Sequence, residues 1–147
     1  MNNIDVFNIA VGEIFRECYA SFPIPTTISK GVIGHSVVEI SRGYEQDVYN
    51  HDDIEFEIVY STILWLVRAG YIWLSKEPEK SDRTFDAVLS PKGLEVLNAV
   101  PASVSGSGTI GQRLTKGAKE LGLDVFKNLS IQALSVGASI AFNGASA

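Results

Sequence analysis

One cysteine, Cys18, leaves the chain without an internal disulfide, and two histidines, His35 and His51, give no recurrent metal-ligand spacing. Cross-links and a structural metal are thereby excluded as the source of stability. Apolar runs are short as well: none reaches the ~20 residues a membrane-spanning helix needs. The opening Met1-Asn-Asn-Ile-Asp5 lacks the basic start and apolar stretch of a secretion signal, so a cytoplasmic location is expected. No phosphate-loop pattern and no nucleophile elbow occur, and no acid, base or nucleophile has a partner in view. A non-enzymatic protein without a cofactor or metal is the expectation. What the chain does have is apolar bulk. With 147 residues, 46% of them hydrophobic, it is long enough to bury a core as a folded protein.

Positive charge is the other scarcity. There are 12 basic side chains against 17 acidic ones, a net charge of −5. The imbalance is local: Glu39, Glu45, Asp47, Asp52, Asp53, Glu55 and Glu57 face Arg42 alone within one stretch. A nucleic-acid surface needs the opposite sign, because most of its affinity comes from neutralising phosphates. Carboxylates at Asp52, Asp53, Glu55 and Glu57 read more simply as a solvated helix start that complements the helix dipole than as a cation site.

Residues 1–101 carry the patterned part of the chain. Ile4, Phe7, Val11, Ile14, Phe15, Cys18 and Phe22 recur at spacings of three and four, which predicts an amphipathic helix with Asn8, Glu13, Arg16 and Glu17 on its wet side. Pro23 and Pro25 end it. Thr26-Thr-Ile28 suits a short strand, and Ser29 caps a second helix running to about Ser41, although Val37-Val-Glu-Ile40 reads equally as extended. Ile54 to Ala69 predicts a helix closed by a left-handed Gly70 and apolar nearly all round, hence buried on more than one side. Trp65 is expected in the core with Phe15 and the hairpin aromatics. Tyr71–Leu74 and Thr84–Leu89 flank the charged Ser75–Arg83 as an antiparallel hairpin, and Ser90-Pro91 opens a further helix that ends at Pro101.

After Pro101 the composition changes. Residues 102–108 read as a small-residue linker, and 109–147 as a Gly/Ala-rich helical tail, either one long helix or two broken near Asn128. Within the linker region Gly106-Ser-Gly-Thr-Ile-Gly111 matches a dinucleotide fingerprint by letters alone, since no central strand precedes it and too little chain follows for a nucleotide-binding sheet. In the tail Gly111, Thr115, Ala118 and Gly122 form one smooth ridge, and Ala133, Gly137, Ala141 and Ala145 a second. Ridges of that kind let helix backbones approach closely. The tail is thus expected to fold back on its own domain, to pair with another copy, or to meet a membrane surface.

Helix, cap glycine, strand, charged loop, strand, serine-proline and helix, in that order, resemble the winged-helix superfamily. Tyr60 to Ile72, Leu89-Ser-Pro-Lys-Gly-Leu-Glu-Val-Leu97 and the Gly- and Ala-rich tail are similar to small bacterial winged-helix proteins associated with prophages and mobile elements. The resemblance implies an α+β, mostly helical fold and carries over no catalytic residue. Winged-helix regulators that bind DNA do so with a basic recognition helix and wing, and this chain departs from both. Its partner is therefore expected to be itself or another protein, with self-association through the tail. A DNA-binding regulator is the alternative, for which the available cations are Arg68, Lys76, Lys80, Arg83, Arg113, Lys116 and Lys119. An effector that associates with membranes through the tail is a further alternative.

Overall fold

Helix α1 (Asn3–Ser21) begins where the Asn2 side chain accepts a hydrogen bond from the Asp5 amide at 2.8 Å, and it runs through the centre of the protein. The computed structural model describes residues 1–43, 49–101 and 108–146, with the backbone alone described for 141–146. After α1 come β1 (Thr26–Ser29), α2 (Lys30–Arg42), α3 (Ile54–Arg68), β2 (Ile72–Leu74), β3 (Thr84–Leu89), α4 (Pro91–Leu97), α5 (Ile110–Leu114), α6 (Gly117–Leu121) and α7 (Leu123–Ser146). The fold is α+β and 64% helical. Among the described residues three strands form one antiparallel sheet in the order β1-β3-β2.

Local signals explain most of these boundaries. Ser29 caps α2 by accepting from the Val32 amide at 3.2 Å, and the segment Val37–Ile40, open between helix and strand in the sequence, is helical. Gly70, at φ +85°, closes α3 in the left-handed conformation. There the Gly70 amide reaches the Val67 carbonyl at 3.1 Å and the Tyr71 amide reaches the Leu66 carbonyl at 2.9 Å, which satisfies two carbonyls the helix end would otherwise leave open. The hairpin forms with Ile72 opposite Leu89 and Leu74 opposite Ala87, and β1 adds to its other edge with Ile28 opposite Phe85. Phe85, Ala87 and Leu89 point inward while Thr84 and Asp86 stay wet, the alternation of a sheet with one buried face.

Ser90 joins two of these ends. Its hydroxyl accepts from the Gly93 amide at 3.0 Å as the cap of α4 and donates to the Gly70 carbonyl at 2.5 Å. Pro91 fills the first turn without missing a donor. Lys92 donates to the Ala69 carbonyl at 2.9 Å and lies over the Tyr71 ring. Gly93 allows this approach, because a β-carbon there would collide with the Tyr71 carbonyl.

The tail packs on the rest of the chain. One apolar core contains Ile9, Ile14, Phe15, Ile63 and Leu97 together with Ile110, Leu114, Phe126, Leu129 and Ala133. Helix α7 lies against α1 and α4. It seats at Gly12, where a β-carbon would strike Phe126 and Ser130, and Gly137 leaves the matching space for the Tyr71 ring. The Tyr71 hydroxyl donates to the Leu134 carbonyl at 3.3 Å. The tail breaks at Gly117 (φ +84°) and Gly122 (φ +89°), not near Asn128, so Gly111, Ala118 and Gly122 fall on separate pieces instead of one continuous ridge. Residues 102–107, most of the expected linker, lie outside the described residues, as do Glu45 and Asp47.

Three burial expectations are corrected. Asn8 and Glu13 are 6% and 5% exposed instead of wet, because helices pack on both sides of α1. Trp65 is 44% exposed instead of buried: its ring meets Phe7 edge-on at 5.3 Å and Tyr71 at 6.2 Å, but its outer face is open. Helix α3 buries Phe56, Val59, Ile63 and Leu66 and leaves its opposite face uncovered.

Candidate protein-interaction surface

The uncovered face of α3 follows from helical spacing. With the buried positions at 56, 59, 63 and 66, residues Ile54, Glu57, Ile58, Ser61, Trp65 and Arg68 fall on the far side. Beside them stands the first turn of α1, whose Asn2 cap sets Ile4 and Phe7 toward the same groove. Together these two helices enclose about 370 Å³, lined by Ile4, Phe7, Ile54, Ile58 and Trp65 with Asn3, Glu57, Ser61 and Thr62 between them. Ile4 is 66% and Ile54 59% exposed. Large apolar side chains gathered this way mark a contact surface far more often than scattered single ones do.

Its walls are held firmly. Arg42, at the end of α2, grips Glu55 through two hydrogen bonds of 2.6 and 2.7 Å and reaches Asp53 at 3.1 Å, which fixes the entry of α3. The Arg42 hydrogen bond is the main cause holding the Glu55 carboxyl below its usual range. Glu55 is therefore a buried structural anion and not part of a solvated helix start, whereas Asp52 stays exposed. Thr62 turns its hydroxyl to the Ile58 carbonyl at 2.6 Å, so the polar groove floor is satisfied from within the helix. Charge is graded along the stripe. Asp52, Asp53 and Glu57, the last paired with Lys30 at 3.6 Å, sit at its start, and Arg68 sits at its end.

The cations expected for nucleic acid are dispersed. Arg68 ends α3, Lys76 pairs with Asp82 at 3.8 Å, and Arg113 is buried. Lys116 and Lys119 border a cleft shared with Glu13 and Glu39. Lys80 and Arg83 do converge, lining with Lys30, His51 and Asp82 a polar cavity of about 500 Å³ beside the hairpin tip. Sequence spacing did not show that Lys30 and His51 would join them, because both come from distant segments.

The small residues of the tail meet their own chain. Gly111 abuts the Tyr19 ring, Gly137 abuts Tyr71, and Ala118 and Ala133 are buried, while Gly122 is exposed. The side chains of Ala141 and Ala145 lie outside the described residues. Cys18, buried in α1, has its thiol pushed up to about 12, chiefly by that burial, and so is a poor nucleophile. Among the described residues no group of His, Cys, Asp and Glu is placed to hold a metal ion, and no helix is long and apolar enough to cross a membrane. Comparison with known proteins finds no matching family, curated protein or solved structure.

Proposed function

We propose that this chain is a non-enzymatic interaction module of winged-helix architecture that receives a protein partner on the α1–α3 groove. The architecture is supported by the succession α1, β1, α2, α3, β2, β3 and by the strand order β1-β3-β2. In a DNA-binding winged helix the α3 position lies in the major groove and offers polar and basic groups to base edges. Here that helix turns Ile54, Ile58 and Trp65 outward, a surface suited to apolar side chains and not to phosphates. The half-exposed Trp65 beside Phe7 is the observation that carries the reading. Tryptophan anchors of this kind dominate protein interfaces. The expected self-association through the tail is less well supported, since Gly111, Ala133 and Gly137 already have partners within the chain.

The test uses a library of amphipathic helical peptides selected on the immobilised full chain. Selected peptides should protect Trp65 and Ile54 from radical labelling and should fail to bind Trp65→Glu. Peptides that bind Trp65→Glu equally well would refute the groove as the docking surface.

A DNA-binding regulator is the second reading, favoured by the convergence of Lys30, Lys80 and Arg83 at one cavity. An interaction module should bind random duplex at ~0.1 M salt no tighter than ~10⁻⁴ M, with a shallow salt slope. A submicromolar complex with steep salt dependence would put the regulator first.

A further inference from the structure

We infer that the occupant of the α1–α3 groove is a second copy of this chain, packed with its α3 antiparallel to the first about a two-fold axis at Ser61. The inference rests on reading the groove as a protein-docking surface. What selects a second copy is charge: the exposed Asp52 and Glu57 stand at the start of the α3 stripe and the exposed Arg68 at its end, so an antiparallel copy sets opposite signs together.

Ser61 lies at the middle of the exposed arc, with Ile54 seven residues before it and Arg68 seven after. On a 100° wheel Ile54, Glu57, Ile58, Trp65 and Arg68 fall within about 60° of Ser61, with the half-buried Leu64 at the margin of the same arc. Antiparallel pairing at Ser61 sets Ile58 against Leu64 and Glu57 against Trp65 of the second copy, and brings Arg68 to the start of its helix. Asp52 and Glu57 stand there. Arg68 and Asp52 make no ion pair among the described residues, so both are available for this contact. A parallel arrangement would instead set the acidic ends against each other.

Size agrees with charge. Ser61 is the smallest side chain on the stripe and would occupy the crossing point, where two helix axes approach to about 8–10 Å. Bulk at Ile58 and Trp65 then falls on either side of the crossing, and Ile4 and Phe7 flank it. An isologous contact of this kind closes on itself and gives a dimer, not a filament.

Cysteine placement tests both the contact and its direction in the full chain. Ser61→Cys should form a disulfide-linked dimer under mild oxidation, since residues on the axis face each other, whereas Ile54→Cys should stay monomeric in non-reducing gels. Cys18 does not compete, being buried. Light scattering of the unmodified chain should give a dimer mass that Arg68→Glu weakens about tenfold in dissociation constant, through loss of two symmetric charge contacts. Cross-linking through Ile54→Cys would overturn the antiparallel arrangement. A chain that stays monomeric at ~100 μM, about −5.5 kcal/mol or weaker as a dissociation constant, would overturn the second copy as occupant. If helical peptides still fill the groove of that monomer, the docking surface stands and the inference alone fails; if they do not, both fail.

Discussion

Arg42 governs how α3 enters the fold. Its side chain is 31% exposed, yet the Glu55 carboxylate it grips is buried, so removing the arginine strands an anion inside. Arg42→Ala should lower stability near pH 7 by about 2 kcal/mol, the scale of a hydrogen-bonded charge contact. Because the folded Glu55 titrates below its usual range, the pair's contribution is complete above the unfolded carboxylate pKa and is lost as pH falls through the lower folded value. Urea melts of the two proteins should therefore differ at neutral pH and converge in acid below about pH 4. Glu13 acts in the opposite sense, its carboxyl raised mainly by burial, but it is common to both proteins and cancels in the difference.

At the scale of elements, glycines decide how closely the pieces fit. Gly93 places α4 on the Tyr71 backbone, while Gly31 in α2 has only the Ser29 hydroxyl near a notional β-carbon, at 3.8 Å. Gly93→Ala should cost about 2–3 kcal/mol by overpacking, whereas Gly31→Ala should be neutral or gain up to about 0.5 kcal/mol from helix propensity. Denaturant melts of both variants make the comparison, and equal effects would contradict the close packing at Gly93. Much of this scale was legible in advance. Gly70, Ser90-Pro91 and the alternating Thr84–Leu89 announce their structure within a few residues, because caps and strands are set by local hydrogen bonding and pleat. Trp65, Asn8 and Glu13 were not legible. Periodicity tells which residues share a face, and what covers that face depends on chain far away: α7 seats at Gly12 of α1, Glu13 faces a cleft lined by α2 and the α5–α6 junction, and nothing described covers the apolar outer side of α3. Gly12 was hidden for the same reason, and Gly137 was legible as a place of close approach but not as the space for Tyr71, since each is defined by the aromatic ring it admits.

The whole molecule is organised by that trade. Because α5–α7 supply Ile110, Leu114, Phe126 and Leu129 to the same core as α1, deleting 109–147 would uncover the Gly12 side of α1. The truncated chain should lose its cooperative thermal transition and bind a hydrophobic dye; a sharp melt close to that of the full chain would contradict the shared core. With the tail engaged inward, the groove of Ile4, Phe7, Ile54, Ile58 and Trp65 is left open, and the proposed contact with a partner falls there. Radical footprinting of the full chain at low and high concentration tests this most directly, because exposed controls lie elsewhere: Trp73 on the hairpin and Ile131 on α7. Trp65 and Ile54 should lose reactivity as concentration rises while Trp73 and Ile131 hold theirs. Protection of Ile131 with Trp65 unchanged would contradict the account and return the contact to the tail.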